Sequence, residues 1–316
     1  MKKFGVLFLS TATLFVGVIV LSFFVTAQLN DYKQKKEQIA EELGFKERLM
    51  NGWEWVPGNT IGTNKVAIWQ GLEKEAEEKY NGALFYSVVL AVLMLIFIIV
   101  NISVYRKKPQ KYQVFGLIMI FCSMSFLFLA VQAPFLEIMA YNNDLTFEVP
   151  IDVNFDEMDF IGGLGLGEFK YDYKQVFDGR IYYLYQNKSV IEIINLLYTG
   201  GNFLIAVLVI LITLVFPVFK FAASIIVLFS PQKKSSIKIY KIIRNLGKWS
   251  MVDVFASAIV LAYFAFSNMN EGVDTGSTTL VGLYYFLLFV VLSINSGQYL
   301  KKAMKKAQVV PEGELD

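Results

Sequence analysis

The sequence predicts an all-α integral membrane protein with about six transmembrane helices, a small extracytoplasmic β-sheet and a helical outer loop. Three observations carry that prediction. Hydrophobic residues make up 55% of the 316-residue chain and charged residues only 18%, which excludes an ordinary soluble domain. Apolar runs near 4–27, 83–105, 113–140, 200–229, 252–267 and 279–299 approach or exceed the roughly 20 residues that cross a bilayer. Basic residues fall on alternate links: Lys2-Lys3, Arg106-Lys107-Lys108 with Lys111, Lys233 to Lys248, and Lys301-Lys302 with Lys305-Lys306. The positive-inside rule then puts both termini in the cytoplasm.

The elements follow in order. The first run has Lys2-Lys3 in front and Val25-Thr26-Ala27 behind it, as a cleaved signal peptide would. Its apolar core from Phe4 to Val25 is longer than a signal core of about 7–15 residues, so an uncleaved anchor is favoured. The first outer loop, 28–82, contains two charged helical stretches, Asp31 to Met50 and Asn64 to Tyr80, with Gly52, Pro57, Gly58 and Gly62 breaking the chain between them. Its charge run Glu73 to Lys79 reads as a solvated helix face. Trp53, Trp55 and Trp69 are expected to dock on the membrane surface or on the second outer loop.

That second loop, 141–198, reads as β. Phe147, Val149, Ile151, Val153 and Phe155 alternate with polar residues, and Pro150 places this strand at an edge. Phe169, Tyr171 and Tyr173 alternate again, and Asp178-Gly179 marks a turn before Ile181 to Tyr185. Helical pattern resumes at Ser189.

Several motifs have plain alternatives. The glycines of Gly162 to Gly167 superficially match a phosphate-binding loop, but a strand-like flank, Glu168 to Tyr171, follows where a helix is needed; a flexible turn is the better account. Asp152, Asn154 and Asp156 open like a calcium loop. Glu157 then stands where the turn needs glycine, and Gly163 where the bidentate glutamate belongs. One cysteine, Cys122, permits no disulfide within the chain and no multi-cysteine zinc site. Histidine is absent, which removes the usual general base near neutral pH. No paired catalytic constellation stands out, so no enzyme activity, cofactor or metal is expected. Nothing resembles a nucleic-acid-binding arm.

Two features point to function. The link 230–250 sets Ile239, Ile242, Ile243, Leu246 and Trp249 at helical spacing against Lys238, Lys241, Arg244 and Lys248. That pattern suits a helix on the inner leaflet, its basic residues meeting anionic lipid; a simple topological anchor is the alternative. Lys220 lies inside the apolar run from Asn202 to Phe229, where a cation costs about 2.5–3.5 kcal/mol on insertion scales and usually faces a polar interior. Asp253 opens the fifth run, and antiparallel packing would bring the two towards each other. The pair would either form part of a site or only fix helix register. Glu137 falls near the outer end of the third run, where Pro134 would kink the helix.

The span ending in Pro217 and Lys220, the basic link, and then Trp249, Met251, Asp253 and Val254 resemble the paraquat-inducible protein A family of bacterial inner-membrane proteins. Phe177 to Arg180 and Gln186 to Ser189 fit the same pattern more weakly. The resemblance covers roughly 112–300, one four-helix module with extracytoplasmic β structure. It divides the chain into an N-terminal transmembrane pair (1–111), the module (112–300) and a cytoplasmic tail (301–316). Family members are implicated in envelope lipid homeostasis beside proteins with MCE domains. The resemblance thus implies a lipid partner, an MCE-domain or other envelope protein, and a lipid site at Lys220, Asp253, Pro217, Trp249 and Met251. Better-known members carry two modules with four-cysteine zinc ribbons; one module and one cysteine exclude such ribbons here. The competing expectation is a non-transporting scaffold or sensor whose outer loops bind another protein.

Overall fold

Pro134 decides where the bundle gives way to a sheet. The computed structural model of the protein describes residues 2–56, 61–154, 168–232, 234–249 and 273–307. Helix α4 (Lys111–Gln132) stops there because Ala133, preceding the proline, is extended at φ −75°, ψ 144°, as steric conflict with the proline ring favours. Strand β1 (Pro134–Asn154) begins at once. The third apolar run is therefore helical only to Gln132, and Glu137 stands on a strand rather than at a helix end, a correction to the sequence reading.

Strand β1 pairs antiparallel with β2 (Glu168–Ser189) from Pro134↔Ser189 to Asn154↔Glu168. The two form a ribbon about 65 Å long at the usual rise per residue. A short β3 (Asp274–Thr279) pairs with Leu136 to Tyr141 on the other side of β1, giving the order β2-β1-β3. Pro150 thus lies in the two-stranded part of the ribbon, where one edge of β1 is free of β3, which satisfies its lack of an N–H. Asp178-Gly179 does not reverse the chain. It forms a bulge opposite Asp144, with Gly179 at φ +80° and Asp144 at φ 50°. The Gly179 N–H donates to Asp144 Oδ1 at 2.7 Å.

Helices α1 (Lys2–Glu42) and α3 (Ile61–Tyr105) contain 41 and 45 residues, or about 60 and 68 Å, roughly twice the hydrocarbon thickness of a bilayer. Their apolar runs continue as helix into the charged stretches. Glu73, Glu75 and Lys79 of α3 meet Lys36, Lys35 and Asp31 of α1, so part of the charge run pairs with the partner helix, while Lys74, Glu75, Glu77 and Glu78 are exposed as a solvated face would be. Buried Ala76 packs with Tyr32 and Leu280 in the same stalk. The stretch from Asp31 to Met50 is not one helix: it opens at Gly44, where Leu43 accepts the Tyr182 N–H at 2.9 Å, and resumes as α2 (Phe45–Met50). Trp55, after α2, packs on Phe147 and Phe177, and Trp69 lies under the Arg180 guanidinium. These two tryptophans dock on the hairpin, while Trp53 is exposed.

After β2, a capping box between Ser189 and Glu192 starts α5 (Val190–Thr199). Then α6 (Phe203–Ile210) passes through a π-helical turn, Leu211–Val215, into α7 (Phe216–Phe229). Helix α8 (Lys234–Trp249) follows, and α9 (Val281–Lys306) leaves β3 and runs back antiparallel to α4. Among the described residues, five helices are long and apolar enough to cross a membrane: α1, α3, α4, α6 continuous with α7, and α9. The fifth apolar run, 252–267, lies outside the described residues. Helix α4 is the hub, with most of its surface buried among α1, α3, α7 and α9. Gly282 sets the sheet-side crossing, because a Cβ there would lie 2.5 Å from the Pro134 carbonyl oxygen.

Candidate functional site

Lys220 sits nine residues before the end of α7, roughly 14 Å along the axis, and points between α4 and α9. Its ammonium donates to Ser293 Oγ of α9 at 2.9 Å. Ser123 of α4, Ser224 of α7 and Ser296 of α9 line the same cavity, with Pro217, Ile120, Met124, Phe221 and Phe289 as its apolar walls. The Ser123 and Ser296 hydroxyls donate to the carbonyls of Ile120 and Ser293, so each presents lone pairs and no spare proton. A cation among serine acceptors is a chemically consistent arrangement. The cavity holds about 20 Å³, room for about one water; a phosphate headgroup needs the helices to part.

The backbone beside Lys220 departs from regular α-helix. Pro217 has no N–H, and its ring crowds the carbonyl four residues earlier. The chain responds with the π turn, in which the Phe216 N–H reaches back five residues to the Leu211 carbonyl. Thr213 Oγ1 donates to the Val209 carbonyl at 2.7 Å, further occupying acceptors on that face. Such single-turn widenings occur frequently at functional sites. Pro217 is buried at the first turn of α7, so it shapes the entry to the cavity and lines it.

The other predicted site residues separate into two groups. Asp253 and Met251 lie outside the described residues, as does any pairing of Asp253 with Lys220. Trp249 ends α8. Along α8, Lys238 and Lys241 are exposed and Arg244 is half-buried, and Lys248 lies in the last turn. The apolar stripe matches the expected one in part. Ile243 is buried with Tyr240 against α4, α7 and α9, and Ile237 and Ile239 pack beside them partly buried, whereas Ile242 is half exposed. Helix α8 therefore closes the end of the bundle away from the sheet, with Lys238 and Lys241 outward.

One polar centre escaped the sequence reading, and a second was noticed but misplaced. Arg48 of α2 is 1% exposed; its Nε donates to Glu54 at 2.9 Å and its Nη1 to the Asp178 carbonyl at 2.9 Å. Lys65 completes the cluster at 2.7 Å from Glu54. This latch ties the segment after α1 to the bulge in β2. At the base of the sheet, Glu137 is 2% exposed and accepts from the Tyr32 hydroxyl at 2.6 Å. The apolar context of Glu137 drew attention to it in the sequence, but that context suggested a helix.

With the Lys220 cavity and its elements in view, comparison with known families gives one match. Residues 178–304 match the paraquat-inducible protein A family. The paraquat-inducible protein A match begins at the β2 bulge and ends in α9, so it takes in Pro217, Lys220, α8 and Ser293. The stalk of α1 and α3, helix α4 and all of β1 lie outside it. No curated protein and no solved structure matches the chain.

Proposed function

We propose that this chain is a multi-pass protein of a bacterial inner membrane, with both termini cytoplasmic, that handles lipid or a lipid-like amphiphile without acting as an enzyme. The observation that carries this reading is Lys220, held in a serine-lined cavity between three helices inside a stretch apolar enough to lie in a bilayer. Its ammonium would neutralise an anionic headgroup, a charge-assisted contact that gains strength away from water. Asp253 would hold Lys220 in register when the headgroup is absent. The π turn at Leu211–Val215 would let α7 shift so that the cavity admits more than water. The match to paraquat-inducible protein A supports a role in envelope lipid homeostasis, with an MCE-domain or other envelope protein receiving or delivering the lipid.

Complementation of an envelope-defect strain tests the reading. Lys220→Ala should fail to complement while the protein accumulates to normal levels; wild-type complementation would sink it. A scaffold role has its own support in the long ribbon, where Val149, Ile151 and Tyr171 stay exposed. If the chain is only a scaffold, removing the ribbon tip abolishes function and neutral replacement of Lys220 and Asp253 together is tolerated.

A further inference from the structure

A second polar centre lies at the base of the sheet, where β1 and β2 meet the stalk. Glu137 and Asn187 face each other in the β1–β2 register, and they are 2% and 0% exposed. Tyr185, two residues before Asn187, lies on the same face of β2. Glu137 Oε1, both amide atoms of Asn187 and the Tyr185 hydroxyl are buried with no hydrogen bond of good geometry, although the Tyr185 hydroxyl lies near enough to Glu137 and Asn187 to interact with both. Each such atom costs about 1–3 kcal/mol when left unmet, and native proteins leave few of them. Here four gather in one place.

The charge is as informative as the hydrogen bonds. Among the described residues no lysine or arginine pairs with Glu137. Lys33 and Lys188, which follow Tyr32 and Asn187 in the chain, are engaged instead by Glu192 and Glu37. Burial, and then the facing Glu137, hold the Tyr185 phenol well above its ordinary range, so it remains a neutral hydroxyl. Tyr80, Ala76 and Leu280 close the neighbouring side with apolar surface. The centre therefore offers one carboxylate, two neutral oxygens and the Asn187 amide donor in a place that water scarcely reaches.

A water molecule would satisfy the hydrogen bonds and leave the charge unanswered. Hard oxygen donors select alkali or alkaline-earth cations over soft transition metals. Calcium takes about 6–8 oxygens, usually with several carboxylates, and no group of three or more acidic, histidine or cysteine ligands occurs among the described residues. One carboxylate balances one positive charge. We infer that Glu137 Oε1, Asn187 Oδ1 and the Tyr185 hydroxyl form a binding site for a monovalent alkali cation. Because Tyr32 of α1 holds the other oxygen of Glu137, the ion fastens the stalk to the sheet. The site stands whether or not Lys220 handles lipid.

Thermal unfolding of the full chain in nanodiscs tests it, with sodium chloride exchanged for choline chloride at constant ionic strength. Sodium should raise the midpoint saturably by several degrees, as a ligand bound only by the folded state does. Glu137→Gln should abolish the rise. Tyr185→Phe and Asn187→Ala, which leave the carboxylate in place, should weaken it, and Lys220→Ala should leave it intact. A wild-type midpoint indifferent to lithium, sodium and potassium would overturn the site. So would a sodium response unchanged in Tyr185→Phe and Asn187→Ala, which keeps the test open should Glu137→Gln fail to fold.

Discussion

Arg48 and Lys220 are both cations removed from bulk water, and the protein treats them in opposite ways. Arg48 has Glu54, the Asp178 carbonyl and the Phe177 ring around it. Lys220 has the Ser293 hydroxyl and a cavity of about one water beside it. The first arrangement is anchored: a carboxylate, a carbonyl and a ring from the chain fix one geometry, although Arg48 Nη2 is buried without a hydrogen bond. The second has no carboxylate paired with the ammonium among the described residues, and its further N–H donors adjoin a space that a ligand can use. The two cations differ in whether the chain supplies a counter-charge.

Removing Arg48 gives the largest expected effect on stability. Arg48→Ala leaves Glu54 buried with only Lys65 to answer it, and breaking a buried pair costs about 3–5 kcal/mol. The thermal midpoint should fall sharply, and protease should cut the segment after α1 first. Equal melting of wild type and variant would show that the latch contributes nothing. Gly282→Ala comes next, since the new Cβ meets the Pro134 carbonyl at the α4–α9 crossing; overpacking of this kind costs about 1–3 kcal/mol. Its midpoint should drop with no change in the sodium response of Glu137.

The comparison sharpens at Lys220. Lys220→Met replaces a half-buried cation by an apolar chain of similar length, so its midpoint should stay within a degree or two of wild type. Its complementation should nevertheless be lost, and a variant that melts early would recast Lys220 as a structural residue like Arg48. Ser293→Ala gives the smallest change. One hydrogen bond contributes about 0.5–1.5 kcal/mol, and the serines at 123, 224 and 296 remain to receive the ammonium. Partial activity is the expected readout, and complete loss would mean that Ser293 itself contacts the ligand.

Legibility followed the range of the interactions. Apolar runs announced five helices because each depends only on its own composition, and Lys220 stood out because its neighbours are Phe219 and Phe221. Glu137 was misread because Phe135 to Ala140 continues the apolar run of α4, and nothing local says that β3 will return to pair with it. Asp178-Gly179 reads as a hairpin turn, yet the 22-residue β2 continues through it, since Asp144 across the ribbon absorbs the extra residue. The continuity of the long helices hid for a similar reason. The charged stretches read as helical, but nothing local joins them to the spans, and the pairing of Lys35 and Lys36 with Glu75 and Glu73 belongs to two helices side by side. Arg48 was invisible, being one charge among many in Phe45 to Met50, and its carbonyl partner at Asp178 lies 130 positions away.

The most direct test of the central claim is lipid analysis of the purified protein. Wild type and Lys220→Met would be extracted in native nanodiscs and their co-purifying lipids quantified by mass spectrometry. Enrichment of an anionic lipid class in the wild type, lost in the variant, is the predicted result. The same bulk composition in both would contradict a headgroup site at Lys220.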